Sequence, residues 1–170
     1  IISAANALSE LDDEGLTITS VVKTLSSGSL RGARGNSGVI LSQLFRGFSK
    51  ELTNDKEITT ERVAVAFERA VETAYKAVMK PKEGTILTVA KAVAAEAKAI
   101  CQKEKDFVSF GEKILAAGNT MLDKTPEMLP VLKEAGVVDS GGQGLMEVLQ
   151  GIVDALTGKV TEIEVPTEAA

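Results

Sequence analysis

Apolar residues return at helical spacing from Thr17 onward, and turn-forming residues interrupt them every ~15 to 25 positions. That periodicity leaves few architectures open. No stretch ahead of the C-terminal tail alternates as a strand does, so folds that need a strand before a phosphate-binding glycine loop, the Rossmann and P-loop types, are excluded. A chain of 170 residues buries one good core. With 44% hydrophobic, 25% charged and only 4% aromatic residues, and with many alanines, that core is one of closely packed helices. The fold class is all-α, with seven or eight helices.

The apolar stripes place them. A first helix covers roughly Ser3 to Leu11 and a second Thr19 to Leu30. A third follows the glycine-rich stretch ending at Gly38 and carries Leu41, Leu44, Phe45, Phe48 and Leu52 on one face. The fourth runs from about Thr60 to Met79 and stops before Pro81, because proline disfavours helix in the residue ahead of it. The fifth starts near Thr85, and the sixth spans about Asp106 to Lys124. Thr125 and Pro126 read as the N-cap and first position of a short helix that ends at Gly136, a residue suited to a left-handed cap. The last helix follows Asp139 and buries Leu145, Val148, Leu149, Ile152 and Leu156. Residues 1–158 are thus expected to form one domain and 159–170 an exit linker toward a downstream domain. The opening at Ile1, without methionine, reads as that of a fragment.

Charge and composition narrow the chemistry. A formal charge of -5 lacks the basic face that nucleic acid or an anionic membrane requires. The single cysteine, Cys101, permits no disulfide framework or cysteine metal cluster and fits a reducing, cytoplasmic setting. No apolar run approaches the ~20 residues that span a bilayer. Histidine is absent, so general base, zinc ligand and phosphohistidine roles for it are all removed.

Three segments share one design, in which small residues lead straight into a helix N-terminus: Gly35 to Gly38, Lys80 to Thr85, and Asp139 to Gly144. Free amides and the positive end of the helix dipole bind phosphate at such places, and glycine lets the phosphate approach the backbone. Ser37, Thr85 and Ser140 add hydroxyls. Each segment alone is explained as well by ordinary capping and turn chemistry. Their glycine density is not, since glycine inside a helix costs up to ~1 kcal/mol relative to alanine. Arg31, Arg34, Lys80 and Lys82 serve equally as phosphate contacts or as solvated charges. The acidic triplet Asp12, Asp13 and Glu14 reads as a turn, Tyr75 as packing and Cys101 as a small core residue.

The stretch Arg31 to Phe48, with Val71 to Val89 and Val131 to Gly144, resembles the N-terminal domain of bacterial fatty acid kinase. That family is related to DhaL, the ATP-binding subunit of dihydroxyacetone kinase. The likeness covers nearly the whole chain. It implies a barrel of antiparallel helices with ATP or ADP at one end. It also implies phosphate contacts from Asn36, Ser37 and Gly38, a nucleotide lining from Gly84, Thr85 and Ile86, and closure by Asp139, Ser140 and Gly141. Pro126 falls where the family approaches the nucleotide from the preceding loop.

The family's magnesium is held by an Asp-Gly-Asp-Thr-Gly-Thr-Asn-Met type motif just ahead of the region where this chain starts. Asp12 and Asp13 lack the following Thr-Gly-Thr-Asn, so neither metal ligands nor catalytic residues are expected here, and the chain is expected to be inactive as it stands. The resemblance implies phosphorylation of a fatty acid carboxylate presented by a separate fatty-acid-binding carrier protein. Transfer to dihydroxyacetone on a partner subunit, and a helical adaptor without catalysis, are the alternatives.

Overall fold

The computed structural model describes residues 1–158; the expected linker 159–170 lies outside the described residues. These residues form eight α-helices, with no strand among them. They are α1 (Ile2–Ser9), α2 (Ile18–Gly32), α3 (Gly35–Leu52), α4 (Thr60–Ala77), α5 (Ile86–Ile100), α6 (Phe107–Met128), α7 (Pro130–Ala135) and α8 (Ser140–Leu156). From α1 to α6 each helix packs on the next, as short connections between antiparallel neighbours require, and α8 closes against α5 and α6.

The core runs down the middle of this array. Leu44, Ala70, Ala74, Ile86, Val89, Val93, Phe110, Ile114, Leu145 and Leu149 are all buried in one cluster. Alanine at contact positions of α4 and α5 lets the backbones come close. A smaller cluster of Val22, Leu52 and Ala66 joins α2, α3 and α4 at the opposite edge. The stripe expected on α8 is only partly interior: Ile152 and Leu156 are 54% and 49% exposed. Both border an apolar cavity of about 280 Å³ that reaches inward to Phe48, Phe67 and Phe110.

Capping explains most boundaries. Thr17, Thr59, Thr85, Asp106 and Asp139 each accept a backbone N–H of the helix that follows, which satisfies one of its orphan donors. Gly136 ends α7 in the left-handed region at φ 67°.

Two expectations need correction. Helix α3 begins at Gly35 and not after Gly38, so Asn36, Ser37 and Gly38 form its first turn. Helix α6 does not stop at Lys124 but runs through Pro126 to Met128, and the short helix starts at Pro130. The lost N–H of Pro126 is compensated by the Thr125 hydroxyl, which donates to the Leu122 carbonyl at 2.7 Å. Pro130 then takes the first-turn position foreseen for Pro126, where a missing N–H is harmless. Among the described residues, no helix is long and apolar enough to cross a membrane.

Candidate functional site

At one end of the array, the N-termini of α3, α5 and α8 meet around a cavity of about 380 Å³. Ser37 and Gly38 line it from α3, Ile86 from α5, and Ser140, Gly141, Gly144 and Leu145 from α8. Their approach is close. A methyl group added at Gly141 would lie 2.9 Å from Ser37 Oγ, 3.3 Å from Asp139 Oδ2 and 3.4 Å from Ile86 Cβ, which shows how near the three helix starts come there. The C-terminal end of α2 and the first residues of α1 complete the wall through Ser29, Gly32 and Ser3.

The three N-termini differ in how their amides are used. In α5 the Thr85 hydroxyl oxygen accepts Leu87 N–H at 3.3 Å and donates its proton to the Lys82 carbonyl at 2.8 Å. In α8 Asp139 Oδ2 accepts Gly142 N–H at 2.8 Å. In α3 the capping position is Arg34, and its side chain makes no cap bond. Its guanidinium instead donates back to the Ala33 and Arg31 carbonyls, at 2.8 and 3.3 Å. The first turn of α3, with Asn36 and Ser37 exposed, therefore presents amides that no side chain caps, at the positive end of an 18-residue helix.

Of the ten residues singled out from the sequence, Ser37, Gly38, Ile86, Ser140 and Gly141 line the cavity. Asn36 stands beside them in the same turn of α3. Gly84, Thr85, Pro126 and Asp139 do not line it. Gly84, at φ 86°, packs under the end of α6, where an added methyl would meet Met128 Cβ at 2.9 Å. Thr85 and Asp139 are the caps just described. Arg34, which the sequence offers equally as a phosphate contact or a solvated charge, lines the cavity too, and Ser42 and Gly144 line it without having been singled out as contacts. Gly144 carried a usable signal, since it belongs to the same glycine-rich segment as Gly141. Ser42 carried none, because its position depends on how α3 lies.

A side-chain network holds the segment ahead of α5. Tyr75 Oη donates to Glu83 Oε1 at 3.2 Å, the buried Thr88 hydroxyl donates to Glu83 Oε2 at 2.7 Å, and Gly84 N–H donates to Thr88 Oγ1 at 2.9 Å. Burial first, and the nearby Glu83 charge second, push the Tyr75 phenol up to about 12. No carboxylate lines the cavity, and the described residues hold no group of three side chains suited to a metal ion.

Comparison with known proteins agrees with the all-helical fold. Residues 2–154 match the family model described as the DAK2 domain. An uncharacterized protein of Staphylococcus epidermidis is 54% identical over 144 residues, which is 85% of this chain and 26% of that protein. Uncharacterized proteins of Staphylococcus aureus are 54% identical over 143 residues, with 84% and 26% covered. The chain thus spans about a quarter of the length of the curated relatives it matches.

Proposed function

The chain belongs to the DAK2 domain family, a kinase-related family, and we propose that its cavity end binds the phosphates of ATP as the nucleotide-binding domain of a cytoplasmic kinase. The observation that carries this reading is the side-chain-uncapped N-terminus of α3, facing Ser140 and Gly141 across the cavity. The first-turn amides of Asn36 and Ser37 supply donors to phosphate oxygens, Gly38 leaves room for the phosphate beside them, and the hydroxyls of Ser37 and Ser140 add to them. A volume of about 380 Å³ suits a ligand of this size. Ile86 lines the wall, Asn36 stands beside it in α3, and Thr85 and Asp139 cap the helices that carry Ile86 and Ser140.

The residues present do not fit magnesium. The cavity wall contains no Asp or Glu, and Asp139 is committed to its cap. No step of the reaction is therefore derived through a metal held by these residues. What they do is hold the donor, so that its terminal phosphorus is open to attack. In the reaction proposed, a fatty acid carboxylate, presented by a lipid-binding carrier protein, forms the new P–O bond. The bond between the β,γ-bridging oxygen and the γ-phosphorus breaks, ADP departs, and an acyl phosphate results.

Calorimetric titration of Mg-ATP into the full-length protein, and into residues 1–170 alone, tests this. Tight binding by the full-length protein and weak binding by residues 1–170 is the expected result. Gly38→Glu sets a carboxylate against the α3 amides, where an added Cβ meets nothing closer than 3.7 Å. It should abolish binding and leave the melting temperature near wild type. Absence of Mg-ATP binding in both proteins would overturn the assignment and leave the helical adaptor.

A further inference from the structure

Thr125 is fully buried and stands directly ahead of Pro126, inside α6. Proline has no N–H, so the Leu122 carbonyl, four residues back, loses its helical donor. The Thr125 hydroxyl spends its one proton on that carbonyl. Its oxygen is thereby left as an acceptor toward the neighbouring segment, and Asp139 N–H donates to it at 3.1 Å. Asp139 in turn caps α8, placing Ser140 and Gly141 in the cavity wall.

The same turn seats a second element of the site. Gly84, two residues before Ile86, lies against it closely enough that an added methyl would be 3.2 Å from the Thr125 carbonyl oxygen. Two of the three helix starts around the cavity thus take their places from one turn of α6. Proline is the least favourable residue for a helix interior, and here it does not end the helix, which continues to Met128. Any other residue at 126 would supply its own N–H to Leu122, so the Thr125 hydroxyl would share that carbonyl with a second donor instead of being its sole partner, as the Ser42 hydroxyl shares the Val39 carbonyl in α3.

We infer that Thr125 and Pro126 are positioning residues for the nucleotide. Pro126 frees the Leu122 carbonyl, that carbonyl orients the Thr125 hydroxyl, and the hydroxyl fixes Asp139 and with it the start of α8. The inference rests on the nucleotide reading of the cavity. Pro126 on this account acts through Thr125 and not by touching ATP.

The test is made on the full-length protein with Pro126→Ala, Thr125→Val and Thr125→Ser, reading melting temperature, kcat and KM for Mg-ATP. Pro126→Ala repairs the helix, so its melting temperature should equal or exceed that of wild type while KM for Mg-ATP rises about tenfold. At saturating ATP, kcat should stay within about twofold. Thr125→Val should raise KM similarly but lower the melting temperature, and Thr125→Ser should restore wild-type KM. Faster amide exchange at Asp139 in Pro126→Ala, without nucleotide, supports the same chain of bonds. Wild-type KM in both Pro126→Ala and Thr125→Val overturns this inference and leaves the nucleotide site standing. Failure of the wild type itself to bind Mg-ATP removes both.

Discussion

Gly47 and Gly144 lie within helices of nearly equal length, α3 with 18 residues and α8 with 17. Their surroundings are opposite. A methyl group on Gly47 would stand 2.6 Å from the Arg69 carbonyl oxygen and 2.8 Å from Ala70 Cα, both backbone atoms of α4. On Gly144 it would meet nothing within 4 Å, although that residue borders the cavity at the α8 N-terminus. The first glycine exists so that two helices can cross; the second leaves space that no part of the protein fills. Openness alone does not mark a site, since Gly151 of α8 is equally open and lies outside that wall; what sets Gly144 apart is its place beside the cavity.

The largest effect is expected where the backbone is closest. Gly47→Val should cost about 3 kcal/mol in unfolding free energy, measured by chemical denaturation, because the rigid atoms of α4 cannot give way. A loss below about 1 kcal/mol would show that the α3–α4 crossing yields, and the contrast would collapse. Gly84→Ala comes next, at about 2 kcal/mol, since it combines φ 86° with the 2.9 Å approach to Met128 Cβ. Gly144→Ala should have the opposite sign. It is expected to stabilise the domain by up to ~1 kcal/mol while weakening Mg-ATP binding, and unchanged affinity would remove Gly144 from the site.

This contrast marks how far the sequence could be read. Helix number and class followed from the 3.6-residue stripes, and five side-chain N-caps fell at or beside the expected starts, from Thr17 to Asp139. That three helix starts share one glycine-rich local design was legible; that they meet at one end was not, because it depends on how α3, α5 and α8 pack. Which glycines pack and which stay open was not. Gly141 and Gly142 are adjacent, yet an added methyl meets Ser37 Oγ in one case and Val89 and Leu122 in the other, a distinction made by the placement of α3, α5 and α6. The passage of α6 through Pro126 was hidden for the same reason. Local rules stop a helix near proline, and the repair by the Thr125 hydroxyl is anchored across the chain to Asp139. The exposure of Ile152 and Leu156 likewise depends on what lies opposite α8.

The smallest expected effect concerns the side of the Gly84 segment that faces α4. The Tyr75 phenol is pushed up to about 12 by burial and by Glu83, so the folded protein keeps this proton at pH values where the unfolded chain, near 10, has lost it. A group raised in the folded state contributes its stability fully below the unfolded value and loses it as pH rises through the folded one. Melting temperature should therefore fall between about pH 10 and 12, and Tyr75→Phe should flatten part of that decline while changing little at pH 7. Lys76, paired with Glu72 on the exposed face of α4, offers the control. Lys76→Ala should leave the Tyr75 contribution intact, because that contribution comes from the half-buried phenol and Glu83 and not from the general charge of the helix. Equal slopes for wild type and Tyr75→Phe would show that in solution the phenol is not held between its burial and Glu83 as it is here. Gly84 would then be held by Thr88 and the turn of α6 alone.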